Sequence, residues 1–253
     1  MRTLRRILKL TGFLGLVVFI IGTLAFTSIE SRNIQCSDIE VVFRKSDLIS
    51  VDKDKLIRMA KQADGKILSK RLDKINGEVI EAAIEKHPAI KRADVYKLVV
   101  KNEEGGGYKG VLVIKVKNRE PVLRIINSGS NYFMDKEGKK FPGAAAYAKR
   151  IMVTTGSVSE QFATEQLLPF VEYIDDSDFW SAQIEQIHVE QNGNVLLSPL
   201  VGGHVIEMGD LENYETKLRN LKAFYKQVLA ENNWDKYSKV SVKYNNQVVA
   251  KRK

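Results

Sequence analysis

Cysteine is nearly absent: Cys36 is the one thiol in 253 residues. That excludes a disulfide framework and any cysteine-rich metal knuckle. Histidine is scarce too, with only His87, His188 and His204, which leaves little for a multi-histidine metal site. Five prolines and seventeen glycines exclude collagen-like and low-complexity chains. No phosphate-binding loop, GxSxG elbow or HExxH helix occurs. What remains is ordinary for a folded chain, 44% hydrophobic and 28% charged, and that excludes wholesale disorder. The length suits one or two cored domains.

Acidic residues are the minority charge, and the net charge is +9. The excess is unevenly placed. Arg2, Arg5, Arg6 and Lys9 lie at one end, and Lys251, Arg252 and Lys253 at the other. Seven of the nine net charges therefore sit on the tails, and no folded face need be strongly basic. This distribution argues against a nucleic-acid-binding surface.

One long stretch lacks charge altogether. Residues 10–29 hold twenty uncharged residues, twelve of them Leu, Ile, Val or Phe. As a helix they would rise about 30 Å, the thickness of a bilayer core. Twelve such side chains favour insertion by about 4–7 kcal/mol. The run is longer than a cleaved signal core, and Thr23-Leu24-Ala25 is a poor cleavage site. Asn33-Ile34-Gln35 before Cys36 is no lipobox, so Cys36 reads as a plain free thiol. Four cations precede the segment, while Glu30 and Arg32 cancel just after it, so the N-terminus is expected in the cytoplasm and the body outside.

The body opens with a strand pattern at 39–43, then helices at 51–63 and 72–86. Leu56, Met59 and Ala60 make the first helical face; Ile75, Val79, Ala83 and Ile84 make the second. Gly65 and Pro88 end them. Strands follow at 93–100 and 111–117, the latter alternating Leu112, Ile114 and Val116 against Val111, Val113, Lys115 and Lys117. The order is β-α-α-β-β. A break at Asn118-Arg119-Glu120-Pro121 leads into a strand-rich region, with strands at 122–126, 131–134, 151–154, 183–190, 194–197 and 204–208. Asn192-Gly193 marks a hairpin. A helix is expected over 160–173 despite Pro169. A long amphipathic helix is expected over 211–231, striped by Leu211, Tyr214, Leu218, Leu221, Tyr225 and Val228. Strands at 239–244 and 247–251, split by Asn245-Asn246, close the chain.

Chemistry-bearing residues are few. His188 and Glu190 alternate onto one strand face, yet a third metal ligand is not evident. His204 follows two glycines and reads as a turn residue. Asp175-Asp176-Ser177-Asp178 lacks the glycine and distal glutamate of a calcium loop and reads as a cap for the segment starting at Phe179-Trp180. No cofactor, metal or catalytic residue is assigned. An exposed sheet edge suits pairing with a partner strand.

Three stretches together resemble a known family. His87-Pro88-Ala89-Ile90-Lys91-Arg92-Ala93-Asp94-Val95 is similar to a step inside the POTRA domain of FtsQ/DivIB bacterial cell-division proteins, especially their Bacteroidetes-like form. Arg119-Glu120-Pro121-Val122, followed by Asp135 to Gly138 and Phe141-Pro142, resembles that family's passage into its β domain, with its D-xx-G-xx-F-P turn. Lys217 to Leu221 and Tyr237 to Val249 resemble its closing helix and hairpin. Aromatic residues found after the last turn in some members are absent here, where Lys251-Arg252-Lys253 follows.

The resemblance implies an α+β chain: cytoplasmic tail 1–9, transmembrane helix 10–29, linker 30–37, POTRA-like domain 38–118, β domain 119–250 and basic tail 251–253. It implies a non-enzymatic scaffold in the bacterial inner membrane at the division septum, with its body periplasmic. Its expected partners are FtsB/DivIC-type and FtsL-type division proteins and, indirectly, the septal wall synthase, with no nucleic acid and no small-molecule substrate. In the family the last strands take a partner by strand addition, which carries over to Val240, Val242, Tyr244, Asn245, Asn246, Val248 and Val249. The final strand is expected to end uncovered, with Val249 as the position whose N–H a proline would remove. Two other classes stay open: an anchored periplasmic enzyme, which needs His188, Glu190 or the aspartates to converge in a cleft, and a POTRA-bearing export or assembly factor, which needs further repeats.

Overall fold

A computed structural model describes residues 11–23, 34–43, 51–103, 105–127, 129–142, 151–229, 234–244 and 246–253. The first described segment, 11–23, is helical (α1) and carries exposed Phe13, Leu14, Phe19 and Ile21. Thirteen helical residues rise about 20 Å, short of a bilayer core. Among the described residues no helix is long and apolar enough to cross a membrane. The rest of the 10–29 stretch lies outside the described residues.

From residue 34 on, the described residues up to Asn118 cluster into one compact unit and those from Arg119 into another. The first unit runs β1 (Cys36–Phe43), α2 (Lys53–Asp64), α3 (Gly77–Glu85), β2 (Ile90–Lys101) and β3 (Tyr108–Asn118). Its sheet order is β1-β3-β2, with β3 parallel to β1 and antiparallel to β2. The alternation read in β3 sorts as expected from Leu112 to Val116, while Val111, expected on the opposite face, is also buried. Leu112, Ile114 and Val116 are fully buried, as are Leu56 and Ala60 of α2 and Ile80 and Ile84 of α3. Each such large apolar side chain stabilises the fold by about 1.5–3 kcal/mol.

The second helix is shorter than the apolar period predicts. Leu72–Lys74 form only a 3₁₀ turn, and α3 starts at Gly77. Asn76 explains the break: its side-chain oxygen accepts from the Val79 N–H and caps α3, while its own N–H donates to Asp64.

The second unit comprises β4 (Pro121–Asn127), β5 (Ser130–Asp135), β6 (Lys140–Phe141), β7 (Met152–Gly156), α4 (Glu160–Phe162), α5 (Leu168–Asp175), α6 (Asp178–Gln183), β8 (Ile184–Val189), β9 (Val195–Pro199), β10 (Val205–Gly209), α7 (Tyr214–Phe224), β11 (Tyr237–Ser241) and β12 (Val249–Arg252). One nine-stranded sheet orders them β12-β11-β10-β9-β8-β7-β4-β5-β6. β7 runs parallel to both β4 and β8, and β10 runs parallel to β11; the other pairs are antiparallel. The helices α4–α6 connect β7 to β8, and α7 connects β10 to β11. Parallel neighbours need such crossovers. One core joins the sheet residues Leu123, Ile187, Leu197, Ile206 and Val240 to Phe170, Trp180, Leu218, Leu221 and Tyr225 from the helical connections.

Two helices depart from their predicted form. The 160–173 helix extends to Asp175 and widens into a π-type turn over Ala163–Leu167. Pro169 lacks an N–H and would crowd the preceding turn, and the widened turn accommodates it. The long 211–231 helix begins only at Tyr214. Asn213 sits at φ 49°, and Asp210 is held from below by Lys217 Nζ at 2.6 Å. Leu211, Leu218, Leu221 and Tyr225 are nonetheless buried, as the stripe predicts. The side chain of Val228 lies outside the described residues.

The D-xx-G turn is organised by one carboxylate. Asp135, side chain 3% exposed, accepts from Arg119 at 2.6 Å and from the N–H groups of Glu137 and Lys139 at 3.1 and 2.8 Å. Gly138 sits at φ 73°, which a side chain would strain, and its N–H closes on the Asp135 carbonyl.

Candidate partner-binding site

β12 is the terminal strand of the large sheet, and among the described residues no strand pairs with its outer side. It lies antiparallel to β11, with Val240 opposite Ala250 and Ser241 opposite Val249. An extra residue in β11 near Ser238 shifts the register between Tyr237 and Lys239.

Two backbone bonds fix which groups of β12 face outward. Val242 N–H donates to the Glu207 carbonyl of β10, so Val240 and Val242 turn their polar groups to β10, and Lys239 and Ser241 turn theirs to β12. At the far end, Lys253 N–H donates to the Lys236 carbonyl. Backbone direction alternates along a strand. Val249, Lys251 and Lys253 therefore bond inward to β11, while Ala250 presents its N–H and C=O outward and Arg252 its N–H; the Arg252 carbonyl accepts from Ser238 Oγ of β11 at 3.3 Å. Val249 is thus not the outward donor expected from sequence; Ala250 is. The bulge near Ser238 and the parallel β10–β11 pairing set this parity, and neither has a local signature.

The support beneath the edge is aromatic. His204, directly before β10, bonds through Nε2 to the Tyr225 hydroxyl at 2.9 Å and stacks beside Trp234. Tyr225 also meets Trp234 edge-on, and Phe224 meets Tyr237 of β11. Burial raises the Tyr225 hydroxyl well above its ordinary range, so it stays protonated and neutral. On the sheet surface, Glu207 of β10 is nearly buried between Lys239 and Lys243, at 3.6 and 3.3 Å. Burial alone would lift its carboxyl; the nearby Ser241 hydroxyl and the two ammonium groups outweigh that and hold it below the ordinary carboxylate range. Lys251 and Arg252 are exposed, so the edge itself is cationic.

With this geometry in place, the comparisons decide the family. Residues 120–251, just over half of the chain, match a family profile described as FtsQ/DivIB, C-terminal related. The chain belongs to the FtsQ/DivIB family. Residues 34–102 match a POTRA-like domain. A comparison with curated proteins gave no match. Membership points to a cell-division scaffold role in a family that is generally non-enzymatic and membrane-associated.

The residues carried over from the FtsQ/DivIB resemblance do not form one surface. Val240 and Val242 are 0% and 1% exposed and belong to the core, so their side chains cannot touch a partner. Val248 is half-buried against the same core. Tyr244 and Val249 are about half exposed, at 51% and 48%, with Lys243 over the Tyr244 ring. Asn246 is exposed at φ 57°, and Asn245 lies outside the described residues. Ala250 and Arg252 carry no side-chain signal of this kind, because what they offer at the edge is backbone.

The residues named for an enzymatic reading are engaged separately. His188 Nδ1 meets Thr155 Oγ1 at 2.9 Å, and the Glu190 carboxylate accepts from Asn194 at 2.7 Å. Ser177 caps α6 by accepting from the Trp180 N–H, so the Asp-rich segment starts that helix as expected. Asp175 and Asp176 border a cavity of about 360 Å³ with Lys136 and Ser181, and neither His188 nor Glu190 lines it. Among the described residues no group of three or more His, Cys, Asp or Glu is placed to hold a metal.

Proposed function

We propose that this chain is a membrane-anchored, non-enzymatic scaffold of the bacterial division septum. In this reading residues 10–29 anchor it in the inner membrane, a POTRA-like domain of residues 38–118 and a β domain of residues 119–250 lie in the periplasm, and β12 takes a strand from an FtsB/DivIC-type partner. An FtsL-type protein joins through the same assembly, which supports the septal wall synthase. The observation that carries this is the open edge of β12, with the Ala250 N–H and C=O and the Arg252 N–H outward beside exposed Tyr244 and Val249. Strand addition draws its affinity from just such main-chain groups. The cations Lys251 and Arg252 favour a partner with acidic flanks and discourage self-pairing.

The test is a pair of proline substitutions. Ala250→Pro removes an outward donor at a free edge and should leave the fold intact while abolishing co-purification of the FtsB/DivIC-type protein. Val249→Pro removes an inward ladder bond and should lower the melting temperature instead. Undiminished partner capture by a folded Ala250→Pro protein would remove β12 from the proposal.

A further inference from the structure

A cleft lies between α5–α6 and α7 in the second unit. Tyr173 of α5, Ser177 in the α5–α6 link and Trp180 of α6 line it together with Thr216, Arg219 and Lys222 of α7. It holds about 370 Å³, a volume found among binding clefts. Further rings adjoin it. Tyr214 meets Tyr173 edge-on at 5.3 Å, and Lys222 Nζ stands 4.4 Å from the centre of the Phe179 ring.

α7 and its continuation carry more positive charge than the fold pairs. Lys217 is bonded to Asp210 at 2.6 Å. Among the described residues Arg219, Lys222 and Lys226 form no ion pair. The helix dipole favours cations in a last turn, which accounts for Lys222 and Lys226. It does not account for Arg219, which is exposed in the middle of Tyr214–Phe224, where that effect has faded. Tyr, Trp and Arg together are the composition of a protein-binding hot spot, not of a solvated helix face.

We propose that this cleft takes an amphipathic helix of a separate protein, laid along α7 with a row of carboxylates toward Arg219, Lys222 and Lys226. The spacing favours a helix over an extended segment. The three cations recur every three or four residues, about 4.5 and 6 Å apart along the axis, and carboxylates on one face of a helix recur at the same steps. Same-face residues of a strand lie about 6.6–6.8 Å apart and would fall out of step. An apolar side chain of the same helix enters the cleft beside Tyr173 and Trp180. Glu215 also lines the cleft and sets the direction. It repels a carboxylate at the start of α7, and a helix gains most from acidic residues at its own N-terminus. The added helix therefore runs antiparallel to α7, with its N-terminus by Lys226. A second copy of this chain fits worse: antiparallel pairing of α7 about its midpoint would set Arg219 of each copy against Lys222 of the other. The proposal does not rest on the reading of β12.

The experiment titrates the full chain in detergent against a fluorescein-labelled, alanine-based helical peptide of about eighteen residues, with glutamate at every third or fourth position and leucine beside it. One control carries lysine for glutamate. A second keeps the composition and scrambles the order, which breaks the acidic face. Anisotropy should show saturable binding of the acidic peptide alone, and hydrogen exchange should slow in α6 and α7 when it binds. Arg219→Glu with Lys222→Glu should weaken that binding about tenfold or more and admit the lysine peptide instead. The milder pair Arg219→Gln with Lys222→Gln should weaken it about threefold at an unchanged melting temperature, which separates loss of the site from loss of the fold. No saturable binding, equal binding of the scrambled peptide, or binding that survives both pairs of substitutions would overturn the proposal. So would slowed exchange confined to 249–252, which places the peptide on β12. Self-association that rises with protein concentration and is lost on charge reversal would make a second copy the occupant, and would overturn it too.

Discussion

At the scale of single residues, His204 is the group most dependent on its surroundings. Sequence makes it a turn residue after two glycines; the structure buries it to 3% exposure against Tyr225 and Trp234. Those partners lie 21 and 30 residues further along the chain, out of reach of local pattern. Burial pushes its pKa below the ordinary 6.5, with the nearby Asp235 carboxylate opposing. A histidine held neutral in the folded state contributes stability that is fully present above pH 6.5. The unfolded chain takes up the proton first as pH falls, so that contribution is lost on the acid side. The melting temperature should therefore fall from pH 7 toward pH 5. His204→Gln retains a hydrogen-bonding side chain near Tyr225 without titrating, and should flatten that fall. Some slope should remain from His87, whose pKa burial also lowers. An acid limb identical in wild type and His204→Gln would assign the effect elsewhere. Asp135 is the contrasting case: its turn was legible as D-xx-G because its N–H donors and its glycine lie within four residues.

At the scale of elements, what was legible is what is local. β3 follows its period-2 pattern from Leu112 to Val116, with Val111 buried out of phase, and the buried stripe of α7 follows its helical one. Helix boundaries were misread wherever a side chain caps the backbone from within an apolar period, as Asn76 does. β6, two residues long, carries too little pattern to be seen. Sheet order was legible only at two hairpins, β8 with β9 across Asn192-Gly193 and β11 with β12 at the end of the chain. β4 pairs with β5 on one side and, parallel, with the later β7 on the other, a long-range pairing with no local signature. The passage from β3 to β4, by contrast, carried its signal in Pro121, which cannot donate a ladder bond and so marks a strand boundary. Arg119 bonds to Asp135 inside the second unit. Limited proteolysis of the full chain should accordingly yield a stable fragment beginning between Asn118 and Val122 and retaining the Arg119–Asp135 pair when the cut precedes Arg119. Loss of both halves together, with no persistent fragment, would count against two separately cored units.

At the scale of the molecule, the question is which side of a membrane the two units occupy. The charge pattern supplies the argument. Arg2, Arg5, Arg6 and Lys9 precede the uncharged stretch, while Glu30 and Arg32 offset each other after it. Cations are retained on the cytoplasmic side of a first apolar segment, and short flanks decide the orientation. The 11–23 helix supplies the start of such a segment, and the apolar run continues to residue 29. If residues 10–29 insert as one helix, everything from Arg32 onward is exported, the β12 edge with it. A reporter active only in the cytoplasm should then work when fused before Leu10 and fail when fused after Lys253. Exchanging the flanks, by replacing Arg2, Arg5, Arg6 and Lys9 with serine and adding lysines after Glu30, should weaken that contrast if charge sets it. Cytoplasmic activity of the Lys253 fusion on the unaltered chain would exclude a periplasmic body. The septal scaffold reading would fall with it, because β12 would then face the wrong compartment for an FtsB/DivIC-type strand.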